Sequence, residues 1–449
     1  MLYNTIKSMY LSSSNDLQVK QDEFISAKFS SEIGVRQGDS LSPTLFNLYI
    51  NQINKYLDTN LDQPSIGSKR IGSLLYADDL ILISKSKIGL QNALNKLSMF
   101  CKEWDMELNT KKTKIVIFNK GSHILNETFT FDDKLLENCK TYRYLGLLLH
   151  CNGNFSECIR DLYKRGLKAV FKLRKSFQGS FPSFNTCMHL FDHLVKPVLS
   201  YGSDIWGSFL VKGATIDFTK LIKCDLEKCH QMFLRSSIGI NKKAPLIGLY
   251  GETGRIPLAI DMICNSLKYL NRLKDMPKNS ILYQCYLANV DISHKNSWWS
   301  NISKVSKDFG CPSDSQKIKI LQVKKSLYTN FKDYWHDCLF DDSKGDFGNK
   351  LRNYRLYKNS FRKEEYLTSI SYKPYRSCLS KLRLSAHKLR IETGRYVKKE
   401  EKLPPSERIC KFCSIRQCED EYHLIMKCSL YENERNQLKL NAFLLYPHA

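Results

Sequence analysis

Apolar positions in the first 150 residues switch between two spacings. Leu45, Leu48, Tyr49 and Ile53 recur at helical intervals across 41–57, with Pro43 near the start, and predict a helix. Leu90, Leu94, Leu97, Phe100 and Cys101 do the same across 88–104. Between these stretches, two short apolar runs, Ile71 to Leu75 and Leu80 to Ile83, flank Tyr76-Ala77-Asp78-Asp79 and predict a β-hairpin over 71–83. Ile115 to Phe118 and Tyr142 to Leu149 read as further short strands, and residues 1–30 as a helix followed by strands. The segment is therefore α+β, with helices beside a small antiparallel sheet.

Beyond about residue 155 strand signals become sparse. Leu162, Leu167, Val170, Phe171 and Leu173 mark a basic helix that Phe181-Pro182-Ser183 breaks. Helical stretches over 188–207 and 221–240 follow, and the region reads as a helical bundle. Residues 178–183 and 241–245 read as loops, each with a Pro among polar neighbours.

Composition narrows the class. The chain has 449 residues, 42% of them hydrophobic and 12% aromatic, which suits two or three folded domains. No run approaches the roughly 18–20 apolar residues of a membrane span. Residues 1–14 lack a signal-peptide layout, so the expectation is an intracellular protein, nuclear or cytoplasmic and not secreted. Its 16 cysteines then read as reduced thiols or metal ligands.

The net charge of +24 is unevenly placed. Residues 1–150 carry 18 Lys/Arg against 16 Asp/Glu, a net of +2, whereas 151–400 carry 44 against 22, a net of +22. The excess peaks over 351–400, with 14 basic and 4 acidic residues. Such a field favours a polyanionic partner, most simply nucleic acid. Tyr354, Tyr357, Phe361, Tyr366, Tyr372 and Tyr375 are interleaved with these charges, either to stack on unpaired bases or to fill the core of amphipathic helices.

Two constellations carry candidate chemistry. Asp78 and Asp79 place adjacent carboxylates at a hairpin tip. Crowded like charges are costly unless a cation uses them, and a divalent metal is the usual one. Metal pairs held by carboxylates serve polymerases by activating a 3′ hydroxyl and stabilising the leaving group. The plainer alternative is a polar turn. The second constellation is Cys410-x2-Cys413 followed by His423-x4-Cys428, a ligand set suited to tetrahedral zinc. Cys418 is a rival ligand, and free reduced cysteines are the alternative.

Four motifs in order extend the first constellation: Gly34-Val35-Arg36-Gln37-Gly38-Asp39-Ser40-Leu41-Ser42-Pro43, then Tyr76-Ala77-Asp78-Asp79, then Leu108-Asn109-Thr110-Lys111-Lys112-Thr113-Lys114, then Tyr144-Leu145-Gly146. Together they resemble the palm of a reverse transcriptase from a non-LTR (LINE-like) retrotransposon. Further likeness lies in Tyr201-Gly202 with Trp206-Gly207, in Tyr250-Gly251-Glu252-Thr253-Gly254-Arg255, and in the terminal Cys-Cys-His-Cys set with its acidic and aromatic flanks.

The resemblance implies four regions: a partial palm over 1–150, a helical thumb over 151–280, a basic helical extension over 281–400 and a zinc-knuckle region over 401–449. It implies Asp78 as a ligand of Mg²⁺ and Asp79 as an accessory carboxylate. Tyr76 and Ala77 would lie under the primer end, and Gln37 and Gly38 against template and nucleotide. Lys112 would reach the triphosphate or protonate pyrophosphate, with a solvated surface lysine as the alternative, and Cys410, Cys413, His423 and Cys428 would hold Zn²⁺. Asp39, between Gly38 and Ser40 and close to Pro43, reads as a helix-start or turn residue and not as a third metal ligand. The partners implied are an RNA template, a DNA primer or target, and dNTPs.

These polymerases also need a carboxylate on a strand ahead of the Gln-Gly motif, and no comparable segment precedes Gly34. The expectation is thus the C-terminal half of a longer polypeptide, without fingers and the first palm carboxylate, that binds nucleic acid but is inactive alone. The alternative is a non-catalytic RNA- or DNA-binding remnant or co-opted protein.

Overall fold

The computed structural model describes residues 2–11, 16–17, 20–21, 24–27, 29–30, 34–35, 38–57, 62–121, 125–177, 181–211, 215–291, 297–308, 317–341, 343, 350–398 and 403–445. The chain divides into two units. The first comprises Met1–Ile117 with His123–Cys139, and the second Phe118–Ser122 with Lys140–Ala449.

The first unit opens with helix Leu2–Leu11 and two small antiparallel pairs, Asp16–Leu17 with Phe29–Ser30 and Lys20–Gln21 with Phe24–Ile25. The apolar stretch over 41–57 is two helices, Ser42–Ile50 and Ile53–Leu57. At the joint the Asn54 and Lys55 amides bond three residues back, to the Asn51 and Gln52 carbonyls, which tightens the turn and ends the α spacing. Helix Lys87–Glu103 is capped by the Ser86 hydroxyl, which accepts the Gly89 amide at 3.0 Å. Its apolar stripe, Leu94, Leu97 and Phe100, packs with Ile50, Ile53, Leu57, Phe129 and Phe131 into one core. The Tyr-Ala-Asp-Asp hairpin is Ser73–Tyr76 paired with Asp79–Leu82, and Leu75, Leu80 and Leu82 anchor it to that core. Among the described residues the strands form two-stranded pairs instead of one sheet, and Glu137–Asn138 pairs with Lys114–Ile115 in parallel.

In the second unit, Thr141–Tyr144 and Leu147–His150 form a hairpin, where the apolar run 142–149 had suggested one strand. Leu145 (φ 44°) and Gly146 (φ 82°) both turn left-handed, the geometry of a two-residue hairpin loop. A leucine at the first position hides this turn from the sequence. Helices then dominate. Ser156–Lys175 has its Gly166 against Leu199, where a Cβ would come within 2.2 Å of a methyl carbon. The stretch expected over 188–207 is broken into Phe184–Leu194, Lys196–Leu199 and Ser203–Trp206, because Pro197 starts a new helix and Gly202 (φ 67°) reverses the chain. Asp225–Ile238, Leu246–Thr253, Leu258–Lys274 and Ile320–Leu339 follow, and their buried Phe233, Tyr250, Leu267, Phe331 and Trp335 share the large core of this unit. Two buried carboxylates organise it. Glu227 takes bonds from the Tyr250 hydroxyl (2.9 Å) and the Ala259 amide (2.9 Å) and faces His230 Nδ1 (3.1 Å). Glu252 pairs with Arg383 and accepts the Tyr366 hydroxyl at 2.6 Å. No described helix is long and apolar enough to cross a membrane.

Of the interleaved aromatics, Tyr354 is buried, Phe361 stands edge-on to Phe331 and Trp335, and Tyr366 bonds Glu252. Tyr372 and Tyr375 are exposed. Tyr354, Phe361 and Tyr366 thus serve the core, whereas Tyr372 and Tyr375 stay at the surface.

Candidate active site and metal centre

The hairpin register pairs Tyr76 with Asp79, so Ala77 and Asp78 form a two-residue loop. Ala77 has φ 52°, a left-handed conformation that costs an L-residue about 1 kcal/mol or more. Strain of this kind clusters where a loop must present a side chain. The loop projects both carboxylates: Tyr76, Ala77, Asp78 and Asp79 are all exposed. Among the described residues neither Asp78 nor Asp79 has an ion-pair partner, and no third His, Cys, Asp or Glu joins them at metal-binding distance. The apolar feet of the hairpin therefore fix a free pair of carboxylates at its tip.

The remaining palm candidates divide. Gln37 lies outside the described residues. Gly38 is exposed with φ 89°, and nothing stands within 4 Å of where its Cβ would be, so the backbone there is open to an approaching ligand. Asp39 sits on the turn ahead of helix Ser42–Ile50, whose N-cap position is Leu41: its Oδ1 accepts the Leu41 amide at 3.0 Å and its carbonyl the Ser42 amide at 3.3 Å. Lys112 is exposed on a turn closed by its own amide on Asn109 Oδ1 at 3.1 Å. Gly38 and Lys112 share the unit of the hairpin, on separate turns.

At the far end of the chain, Ile409 and Cys418 bridge antiparallel, and the Cys410 amide donates to the Gln417 carbonyl at 2.9 Å. This tight loop carries Cys410 and Cys413. His423 begins a helical turn whose first amide is held by Asp420 Oδ1 at 2.7 Å, and the Cys428 amide folds back to the His423 carbonyl at 2.8 Å. The ligand atoms of Cys410, Cys413, His423 and Cys428 consequently all lie within 4.8 Å of one another. The Phe412 amide points at Cys410 Sγ (3.4 Å). Hydrogen bonding from the Ile415 amide brings the Cys413 thiol below its ordinary value, whereas burial raises Cys410. Three sulfurs and an imidazole at this spacing, with amides aimed at sulfur, fit zinc and do not fit the oxygen-seeking cations. Cys418 stands apart, its thiol on the Pro405 carbonyl at 3.1 Å.

An anchor for this module was not visible in the sequence. Glu421, two positions before His423, is buried and takes bonds from Arg352 Nη2 (2.7 Å), Asn353 Nδ2 (2.9 Å) and Ser385 Oγ (3.1 Å), and faces His387 Nε2 (2.8 Å). Arg352 Nη1 also donates to Glu392 (2.9 Å). Burial pushes Glu421 upward, but the His387 bond and the Arg352 charge outweigh it and bring the carboxyl down to about 2. His387 is therefore a structural partner of a carboxylate.

Residues 2–149 match the family described as reverse transcriptase (RNA-dependent DNA polymerase). Residues 2–149 thus carry the likeness of a reverse transcriptase domain, and the relatives that the chain matches are polyproteins and polymerases of retrotransposable elements. It is 33% identical over 129 residues to a Pol polyprotein of the type-1 retrotransposable element R2 from Nasonia vitripennis, a match covering 27% of this chain and 12% of that protein. The R2 polyprotein from Popillia japonica is 30% identical over 152 residues, 30% of this chain and 25% of the relative. The RNA-directed DNA polymerase from mobile element jockey of Drosophila melanogaster is 22% identical over 213 residues, 46% of this chain and 22% of the relative. The chain thus spans a quarter or less of these relatives' length.

Proposed function

We propose that this chain is part of an RNA-directed DNA polymerase of a non-LTR retrotransposon, acting inside the cell on an RNA template, a DNA primer or target, and dNTPs. The observation that carries the reading is the strained hairpin tip that projects Asp78 and Asp79. Asp78 would hold Mg²⁺, with Asp79 as an accessory ligand. Bound there, the metal supplies the Lewis acidity that lowers the pKa of a primer 3′ hydroxyl and offsets charge on the leaving pyrophosphate. In this reading the chain's own residues would position the partners: Tyr76 and Ala77 for the primer end, Gln37 and Gly38 for template and nucleotide, and Lys112 for the triphosphate. The Cys410–Cys413–His423–Cys428 set would hold a structural zinc.

Two carboxylates on one hairpin are few ligands for a pair of hard cations, each of which takes about six oxygens. The described residues supply no third carboxylate there. We therefore propose that the chain binds nucleic acid but does not extend a primer by itself. Primer extension on an RNA template with Mg²⁺, run beside an Asp78→Ala, Asp79→Ala double variant, tests this. The expected result is salt-sensitive RNA binding in both proteins and synthesis in neither. Synthesis that the double variant abolishes would refute the insufficiency and uphold the carboxylates. Failure to bind RNA would overturn the nucleic-acid reading. The unpaired Asp78 and Asp79 in one unit and the four-ligand Cys/His set in the other also support the second reading, a non-catalytic nucleic-acid-binding protein.

A further inference from the structure

The second unit holds an open cleft of about 580 Å³ that none of the assigned roles uses. Arg174, Lys228, Arg235 and Lys242 line it, over a floor that includes Met232 and Ile240. Among the described residues no acidic side chain lines it. Arg174 and Lys242 are exposed and have no acidic partner among the described residues, while Lys228 pairs with Asp225 at 2.7 Å. Arg235 donates Nη2 to the Ala244 carbonyl at 2.9 Å, and its buried Nε has no partner.

Beside the cleft lies helix Lys373–Arg383. It is fastened to the end of helix Asp225–Ile238 by the Ser377 hydroxyl, which donates to the Gly239 carbonyl at 2.7 Å. Tyr372 and Tyr375, 59% and 70% exposed, stand at the start of this helix with ring centroids 4.9 Å apart. Lys373, between them in sequence, lies over the Phe181 ring at 3.3 Å. Burial holds Lys373 below its ordinary value, and the charges of Arg174 and Arg376 act the same way. The lysine of the tyrosine ridge and an arginine of the cleft therefore crowd each other electrostatically.

Crowded cations without carboxylates are unfavourable in the free protein and favourable beneath a polyanion. Two exposed rings next to such a groove match what an unpaired strand requires, phosphates in the basic groove and bases on aromatic faces. A duplex, whose bases are already stacked, gains nothing from the rings. We propose that this cleft and the Tyr372–Tyr375 ridge form a binding track for an unpaired nucleic-acid strand, separate from the Asp78–Asp79 hairpin. The proposal rests on the nucleic-acid reading above but not on any role of the palm carboxylates.

The test is fluorescence anisotropy of the full chain with labelled unpaired RNA, unpaired DNA and a blunt duplex across a salt series. Arg174→Gln with Lys242→Gln should weaken unpaired-strand binding and make the slope of log K against log salt shallower by about 1.4, two contacts at about 0.7 each. Tyr372→Ala with Tyr375→Ala should weaken unpaired strands by about tenfold or more, leave the salt slope unchanged and leave duplex binding intact. All four side chains are exposed or line an open groove, and unchanged circular dichroism melts would show that the variants fold. Normal unpaired-strand binding by both variant pairs, or equal loss of duplex and unpaired strands in the tyrosine variant, would overturn the track while leaving the nucleic-acid reading standing. No binding by the unaltered chain would overturn both. Preference between RNA and DNA in the unaltered chain identifies which strand the track takes.

Discussion

Arg383 grips Glu252 through two contacts, Nε to Oε1 at 2.5 Å and Nη2 to Oε2 at 3.2 Å, across 131 residues of sequence. Glu252 is fully buried, and Arg383 also reaches Glu364 at 2.7 Å and lies 4.7 Å from the Tyr357 ring centre. Arg383→Met would leave a buried carboxylate with little beyond the Tyr366 hydroxyl. The expected loss is about 3–5 kcal/mol, measured by urea unfolding. Arg383→Met with Glu252→Gln should recover much of it. A single variant as stable as the parent would contradict the pairing.

Gly251 meets the Trp335 indole, where a Cβ would sit 2.6 Å from Nε1. That nitrogen donates to the Ile247 carbonyl at 2.9 Å, so the ring has little freedom to move. Gly251→Ala should cost about 1–3 kcal/mol by overpacking, read from the denaturant midpoint and from altered tryptophan fluorescence.

Asp261 sits between Lys196 (2.5 Å) and Lys324 (2.8 Å). Burial raises its carboxyl, but the two lysines outweigh that and hold it below the usual range. A depressed folded value means that the carboxylate's stabilisation is complete above the unfolded value, about pH 4, and is lost as pH falls through the lower folded value. Melting temperatures of the parent and Asp261→Asn should differ at pH 6 and converge towards pH 3. Parallel curves would rule out this linkage.

Ala77 occupies a left-handed turn position. Ala77→Gly should be neutral or stabilising by up to about 1 kcal/mol, and Ala77→Val destabilising by about 1–2 kcal/mol, because a β-branched residue tolerates positive φ least. Thermal melts of the two variants in the opposite order would mean that the turn is not strained.

Chain purified with zinc supplementation should carry one zinc, and Cys428→Ser should release it, as counted by elemental analysis. Acidification should also release the metal, since the ligands bind as thiolates and neutral imidazole. Cys418→Ser should keep it. Retention by the first variant with loss by the second would exchange the ligand assignment.

Legibility in the sequence followed the range of each interaction. The Tyr76–Asp79 hairpin announced itself through the apolar runs that root it in the core. The Cys/His set did so because its four members fall within 19 positions. The hairpin over 141–150 was masked by Leu145, a residue that sequence rules do not place in a left-handed turn. The basic excess was evident, but not its gathering into a cleft, because Arg174, Lys228 and Lys242 come from different elements. The Arg352 anchor was invisible for the same reason: its carboxylates lie 40 and 69 residues downstream.

That separation gives the joint a place in time as well as in space. During synthesis Arg352 emerges well before Glu392, and Glu392 before Glu421, so the guanidinium waits for both carboxylates while the helices ahead of it are already free to pack. Local contacts form early and distant ones late. The Arg352–Glu421 pair can accordingly close only after the Arg352–Glu392 pair, and a transcript ending between residues 392 and 421 would yield a polypeptide whose Arg352 holds one carboxylate and lacks the second, a half-made joint exposed to quality control.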